Sequence, residues 1–168
     1  MTPSTSKKVL ISRFDRETLS GFVNPRAYLE SGGLELLDTA GNLLTVPYGE
    51  IKVVCFVKDF DTEETWRTKR AFASRPKMAG LWVRLGFRDG ETLEGLLPNN
   101  LLLQETQGFH FIPPDPTFQN QKIFVPRVAL TEVQVLGVIG SPLRQPRGAR
   151  PSKRTGDERQ LDMFNRRD

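Results

Sequence analysis

The chain has 168 residues, of which 38% are hydrophobic and 9% aromatic, which suits one ordinary domain or two very small ones. No stretch approaches the roughly 18 consecutive apolar residues that a membrane-spanning helix needs, so we expect no membrane span. A single cysteine excludes an internal disulfide, and together with a single histidine it disfavours a Cys/His zinc site. Because the first residues lack the apolar run of a secretory signal, we expect a cytoplasmic protein.

The first predicted unit spans residues 1–58 and has the pattern of a small β-barrel. Residues 9–13 alternate apolar and polar side chains, and residues 51–57 are rich in β-branched ones, which is typical of strands. Pro47 is expected to end a strand because proline donates no ladder hydrogen bond. Cys55 is expected to be a buried structural thiol, since no His/Asn pattern accompanies it. The side chains expected in the core of this unit are Leu19, Leu36, Val46, Val54 and Phe56.

A connector at residues 59–80 begins acidic and continues basic. Residues 62–73 have the composition of a short helix with acids in its first turn, and an irregular connector is the alternative. Cations neutralise phosphates and aromatic rings stack on bases, so the cations near Trp66 and Phe72 are candidates for nucleic-acid contacts. In the other interpretation the connector is solvated, its cations pair with nearby acids, and its aromatic rings pack on the body. The cations concerned are Arg67, Lys69, Arg70, Arg75 and Lys77.

The second predicted unit spans residues 81–140. Asp89 and Gly90 between two apolar runs favour a hairpin with a type I′ turn, and the first unit, which lacks that glycine, is expected to turn differently. Gly21 and Gly95 fall within strand patterns and are expected to mark a bulge or a bend. His110 alternates with two phenylalanines and is expected to face outward. The side chains expected in this core are Val83, Leu93, Phe111, Phe124, Val133 and Val135.

The two units match each other in sequence. Residues 14–21 (FDRETLSG) match residues 87–95 (FRDGETLEG) with one inserted residue, and residues 44–48 (LTVPY) match residues 123–127 (IFVPR) in the same order. We therefore predict a duplication that covers about residues 9–58 and 81–139. Each unit suits an SH3-like or Sm-like barrel, and a unit so small gains core by packing against another. The predicted fold is all-β, with two tandem small barrels that form a pseudo-dimer.

The second unit resembles the first motif of Sm-like proteins. The shared features are the alternating strand, the Asp89-Gly90 pair, Gly95 and residues 100–103 (Asn-Leu-Leu-Leu). In that family the asparagine lies beside a bound RNA base, so the resemblance implies a barrel and makes Asn100 a candidate RNA contact. The aspartate that usually precedes this asparagine and the Arg-Gly of the second Sm motif are absent from this chain. The body is also similar to an uncharacterised bacterial family of duplicated β-barrels.

The tail, residues 141–168, carries the whole net charge of +4. It holds eight basic and four acidic residues, which leaves the rest of the chain neutral. Through residue 159 it is rich in proline, glycine and arginine, a composition that predicts a disordered basic linker. The linker cations are either DNA contacts or a source of solubility. They are Arg144, Arg147, Arg150, Lys153, Arg154 and Arg159.

Apolar side chains return after this linker. Residues 160–164 (Gln-Leu-Asp-Met-Phe) resemble the bacterial sliding-clamp-binding motif, Gln-Leu-Ser/Asp-Leu/Met-Phe, at all five positions. The resemblance implies that Gln160 contacts a small subsite, that Leu161 fills a hydrophobic hole, and that Met163 and Phe164, beyond Asp162, enter the adjoining deep pocket. Closely spaced apolar anchors on a flexible tether suit a preformed groove. The alternatives are docking of these side chains on the protein's own body, or no role.

These patterns predict a non-enzymatic adaptor in DNA replication or repair that binds the sliding clamp through its tail. We find no phosphate-binding loop, serine elbow or other catalytic constellation, and we expect no cofactor, metal, membrane or small-molecule substrate. One alternative is an Sm-like module that binds DNA or RNA through the barrel and the connector. Another is a barrel that recognises a protein strand by addition to a sheet edge.

Overall fold

The computed structural model describes residues 5–61, 66–67, 69–114 and 122–140, which form eleven strands and three 3-10 helices, with no α-helix among them. Within these ranges, no helix has the length and apolar character needed to cross a membrane. The all-β class is therefore confirmed. The 3-10 helices are Tyr48–Glu50, Leu101–Leu103 and Arg127–Ala129. The strands are β1 (Lys7–Arg13), β2 (Thr18–Val23), β3 (Leu29–Glu30), β4 (Gly33–Asp38), β5 (Leu43–Val46), β6 (Ile51–Phe56), β7 (Gly80–Phe87), β8 (Thr92–Leu97), β9 (Gly108–Phe111), β10 (Lys122–Pro126) and β11 (Leu130–Ile139).

The first half of the body, strands β1 to β6, is an antiparallel arrangement around β1. Strand β1 pairs with both β2 and β6, β2 continues to β4, and β4 pairs with β5 on its other side. The short β3 forms a hairpin with the start of β4. The order of strands across this half is therefore β6-β1-β2-β4-β5.

The second half, strands β7 to β11, has pairings in a corresponding order. Strand β7 pairs with both β8 and β11, and β9 pairs with β10. An isolated bridge between Leu96 of β8 and Ile112, just beyond β9, connects the two pairs. The order is therefore β11-β7-β8-β9-β10. In both halves a 3-10 helix separates the last two strands in the chain.

The two halves are joined by antiparallel pairing of β6 with β10. Phe56 lies opposite Lys122, Cys55 opposite Ile123, and Val54 opposite Phe124. This junction merges the first half with β10 and β9 into one eight-stranded sheet, while β11, β7 and β8 form a second sheet of three strands.

Strand β6 contributes to two hydrophobic cores, one from each of its faces. Val54 packs in the first core with Ile11, Leu34 and Leu36, whereas Val53 and Cys55 pack in the second with Val83, Leu93 and Phe111. Phe124, expected in the core of the second unit, lies instead in the first core. The reason is the junction itself, because its partner across the strands is Val54 and paired residues point to the same face.

Two of the predicted core residues are exposed. Val133 and Val135 lie on β11, which is bonded to β7 on one side and has no strand on the other among the described residues. Leu19 and Phe56 are partly buried. The remaining predicted core residues are buried as expected: Leu36, Val46, Val54, Val83, Leu93, Phe111 and Phe124.

The two glycines expected at a bulge or bend serve close packing instead. The strand pairing runs through Gly21 and Gly95 without a shift of register. A side chain at Gly21 would meet the backbone of Leu37, and one at Gly95 would meet the ring of Phe111. Both positions therefore let a neighbouring strand approach.

The connector is irregular where it is described. Residues 59–61, 66–67 and 69–79 contain turns and bends but no helix, which corrects the helical alternative for these positions. One backbone hydrogen bond joins the connector to β8, because the amide of Glu94 donates to the carbonyl of Arg70 at 2.7 Å. The connector therefore lies beside β8 at Arg70. The remaining connector residues, 62–65 and 68, and the whole tail lie outside the described residues.

The hairpins β1–β2 and β7–β8 turn in the same way, which corrects the expected difference. In each, the last residue of the first strand accepts a hydrogen bond from the amide three positions further on. The Arg16 amide donates to the Arg13 carbonyl, and the Gly90 amide donates to the Phe87 carbonyl. Gly90 has a φ of 87° and Arg16 a φ of 71°, whereas Asp89 has no positive φ. A type I′ turn needs two positive φ angles, so both hairpins are type I turns followed by a left-handed residue.

We predict that Arg16→Gly stabilises the protein by about 0.5–1 kcal/mol, because glycine adopts the left-handed conformation without the steric cost that arginine carries. The measurement is urea unfolding at neutral pH. Arg16→Ala is the matched control, since it removes the same exposed side chain and keeps the Cβ atom. Equal stability of the glycine and alanine variants would contradict the prediction.

Candidate functional site

A buried lysine connects the two halves beside their shared strand. Lys52 of β6 is 1% exposed, and its ammonium group contacts the carboxylates of Asp89 and Glu91 in the β7–β8 turn. The same ammonium lies 5.1 to 5.6 Å from the ring centres of three aromatic side chains. These are Phe14, Trp66 and Phe87. A buried cation is tolerated when charge partners and aromatic faces surround it, and both are present at this position.

The Asp89 carboxylate beside Lys52 is held in its charged form. Burial alone would raise the pKa of Asp89, but the hydrogen bond from Lys52 and the backbone amide of Glu91 bring that pKa below its usual range. Sequence inspection missed this cluster because Lys52 and Glu91 are 39 positions apart. The signal was a single lysine among the apolar residues of β6.

We predict that Lys52→Met destabilises the protein by about 2–3 kcal/mol, because it removes the buried cation that lies between two neighbouring carboxylates. Urea unfolding at neutral pH measures the change. The triple variant Lys52→Met/Asp89→Asn/Glu91→Gln is expected to regain most of that loss.

The exposed ion pair between Lys8 and Asp59 provides the matched control. Lys8→Met is expected to cost less than about 1 kcal/mol, the usual range for surface pairs. A cost of Lys52→Met no larger than that of Lys8→Met would show that the buried cluster is not a structural link.

Hydrogen bonds near its aromatic residues attach the connector to the body. The indole of the buried Trp66 donates to Ser12 of β1 at 3.2 Å. Further along, the buried carboxylate of Glu94 accepts from the Arg84 guanidinium, the Trp82 indole and the backbone amide of Phe72, at 2.9 to 3.1 Å. Burial alone would raise the pKa of Glu94, but these donors lower it. The carboxylate thus holds the connector against β8.

The five connector cations do not form one uniform stripe. Arg67 stacks over the Trp66 ring at 4.7 Å and lies 3.8 Å from Glu91, and Arg70 lies 3.9 Å from the same carboxylate. Arg75 donates to the carbonyl of Val138 at 3.2 Å. Lys69 and Lys77 are exposed. Because Trp66 is buried, its ring faces are not presented to a base, and Phe72 packs edge-on against Trp82.

A cleft of about 640 Å³ lies near the junction of the halves. Its lining is mainly apolar, with a histidine, a lysine, a glutamine and a glutamate among it. The lining includes Leu96, Leu97, Gln104, Glu105, His110 and Lys122. Gln104 accepts from the backbone amide of His110 at 2.9 Å, and its buried amide nitrogen has no partner among the described residues. The cleft therefore combines apolar surface with an available hydrogen-bond donor.

His110 does not simply face outward, contrary to the sequence-based expectation. Its ring is partly buried, packs 4.9 Å from the Phe124 ring, and shares a hydrogen bond with the Tyr28 hydroxyl. Burial, followed by the charge of Lys122, lowers the pKa of His110 to about 4. The imidazole is thus neutral at physiological pH, and the Tyr28 contact connects the first half to the second.

The asparagine singled out by the Sm-like pattern has a local structural role. The side-chain oxygen of Asn100 accepts from the amide of Leu102 at 3.1 Å and caps the 3-10 helix Leu101–Leu103. The three leucines are exposed, Leu102 by 94%. Asn100 itself is exposed beside them. This loop presents apolar surface next to the cleft, to which Leu103 also contributes.

Of the remaining candidate residues, Cys55 is described by the structure and the tail residues are not. Cys55 is buried, and burial raises the pKa of its thiol to about 12, so the thiol stays protonated at neutral pH. In the part of the chain that the structure describes, no group of three or more His, Cys, Asp or Glu side chains is arranged to hold a metal. The five residues at 160–164 lie outside the described residues. So do the linker cations Arg144, Arg147, Arg150, Lys153, Arg154 and Arg159.

Comparison with known protein families gives a match over most of the body. A family of unknown function, DUF6982, matches residues 5–137, which spans the body from before β1 to within β11. No curated protein and no solved structure matches the chain.

Proposed function

The chain belongs to DUF6982, a family of unknown function, and we propose that it is an adaptor that binds the bacterial DNA sliding clamp through residues 160–164. The observation that carries the proposal is the agreement of Gln160, Leu161, Asp162, Met163 and Phe164 with all five positions of the clamp-binding motif. The motif lies beyond the residues that match the family, so the proposal rests on this chain's own sequence.

The position of the motif suits a tethered peptide. Strand β11 ends at Ile139, and about 20 residues rich in proline, glycine and arginine separate it from Gln160. We take this segment to be a disordered linker on the ground of its composition. A linker of that length lets Leu161 and Phe164 reach a groove on the clamp while the body stays outside it. The linker cations would then lie near DNA that passes through the clamp.

We further propose that the body is a pair of small barrels of the SH3-like or Sm-like kind. The recurring strand order, β6-β1-β2-β4-β5 and β11-β7-β8-β9-β10, supports this, as does the 3-10 helix before the last strand of each half. The sequence match between residues 14–21 and 87–95, which lie in the β1–β2 and β7–β8 hairpins, also supports the proposal. In the adaptor, the body would hold whatever is brought to the clamp.

The alternative proposal, a module that binds DNA or RNA, would use the connector cations and Asn100. Several contacts weigh against it. Arg67 and Arg70 lie near Glu91, Trp66 is buried, and the Asn100 oxygen caps its own loop. A base or phosphate would have to displace these contacts. The adaptor proposal requires no such change.

We predict that the full-length protein binds a purified bacterial sliding clamp with a Kd in the micromolar range, as is typical of short peptides in preformed grooves. Leu161→Ala/Phe164→Ala is expected to weaken binding by about tenfold or more, because both apolar anchors are lost. Isothermal titration calorimetry measures the affinity.

The matched control is Arg166→Ala/Arg167→Ala, which changes the same end of the tail and leaves the motif intact. A parallel titration with single-stranded DNA and RNA at two salt concentrations tests the alternative, using Arg67→Ala/Arg70→Ala. No clamp binding by the wild-type protein, together with salt-dependent nucleic-acid binding that this variant loses, would replace the adaptor proposal with the alternative.

A further inference from the structure

Each end of the body presents a strand edge without a partner. Among the described residues, β5 pairs only with β4, and β11 pairs only with β7. Both strands carry exposed apolar side chains, of which Leu43 on β5 is 65% exposed and Val135 on β11 is 57% exposed. An open apolar strand edge is a template for pairing with another strand, and proteins usually cover or charge such edges.

The valines of β11 belong to the inner face of their sheet. Val133 lies opposite Leu85, and Val135 opposite Val83, and both partners on β7 are fully buried. Paired residues on adjacent strands point to the same face. The second core therefore runs on past β7 and ends at exposed valines. This explains why both valines have the pattern of core residues without being buried.

The junction between the halves shows how such edges are covered in this fold. Strand β6, the last strand of the first half, pairs with β10, the fourth in the order of the second half. At the two ends of the body, β11 is the counterpart of β6 and β5 is the counterpart of β10. Strand β11 follows a 3-10 helix as β6 does, and β5 precedes a 3-10 helix as β10 does. Pro47 after β5 corresponds to Pro126 at the end of β10. The two open edges are thus the counterparts of the two edges that pair internally.

We propose that copies of this chain associate head to tail, with β11 of one copy pairing antiparallel with β5 of the next. Transfer of the internal register places Val135 opposite Leu43 and Val133 opposite Thr45, as Phe56 lies opposite Lys122 and Val54 opposite Phe124. By analogy with Val54 and Phe56 at the internal junction, this pairing buries Val133 and partly buries Val135, and it extends the two sheets. It does not depend on the clamp-binding peptide.

The contact joins two different surfaces, so every added copy leaves the same pair of edges open unless the assembly closes into a ring. An isologous dimer, in which one patch meets its own copy, is a different arrangement. The distinction gives the proposal a specific test, because variants damaged at opposite edges complement each other only in a head-to-tail contact.

The test uses the full-length protein in size-exclusion chromatography with light scattering at about 100 µM. The wild-type protein is expected to exceed its 19.0 kDa monomer mass at least twofold. Val135→Lys and Thr45→Lys are each expected to be monomeric, because Thr45 is exposed and occupies the position that the buried Phe124 has in the internal junction. Their equimolar mixture is expected to form a dimer with one copy of each and nothing larger, because one intact β5 meets one intact β11 and the two lysine edges repel each other.

Leu102→Lys is the matched control, since Leu102 is exposed but lies on neither edge, and it is expected to keep the wild-type mass. Circular dichroism melts verify that the lysine variants fold. Val135→Asn and Thr45→Asn, which are less favourable in strands, serve instead if they do not. A monomeric wild-type protein, whether or not its own tail covers β11, would overturn the proposal. So would a mixture that stays monomeric, or association that both lysine variants retain.

Discussion

Pairing of β6 with β10 is the contact on which the rest of the body depends. Both faces of β6 are buried, so Val54 completes the first core while Val53 and Cys55 complete the second. A strand in the middle of two cores cannot shift by one residue without exchanging the side chains of both faces. Lys52 adds a charged constraint, because its buried ammonium needs Asp89 and Glu91 of the other half.

Local patterns were sufficient to predict the fold class and much of the core. Alternation and β-branched residues predicted strands, and Leu36, Val83 and Phe111 are buried as their positions indicated. The hairpins were placed correctly, but their turn type was not. The left-handed residue in the first is Arg16, which no propensity rule favours at that position.

The predictions that failed on which side chains are buried share one physical cause. Periodicity indicates which side chains of a strand share a face, but not which other strand or sheet packs against that face. Val133 and Val135 share the inner face and are exposed because β11 has no further neighbour among the described residues. The contacts of Lys52, Tyr28 and His110 were missed because their partners come from the other half of the chain. Such pairings depend on how the halves meet, which no single segment encodes.

The two proposals are compatible, since the clamp-binding peptide and the open strand edges are separate parts of the chain. If copies join through β5 and β11, each assembly carries several peptides, and their combined affinity for several clamp subunits would exceed that of one peptide. Strand β11 also directly precedes the tail in the chain, so the tail begins beside one of the two proposed contacts between copies.

The most direct test of this account is hydrogen–deuterium exchange followed by mass spectrometry at low and high protein concentration. The account predicts that peptides covering β6 and β10 are strongly protected at both concentrations, whereas peptides covering β5 and β11 gain protection only at the higher one. Fast exchange of β6 and β10 at any concentration, or exchange of β5 and β11 that does not change with concentration, would contradict it.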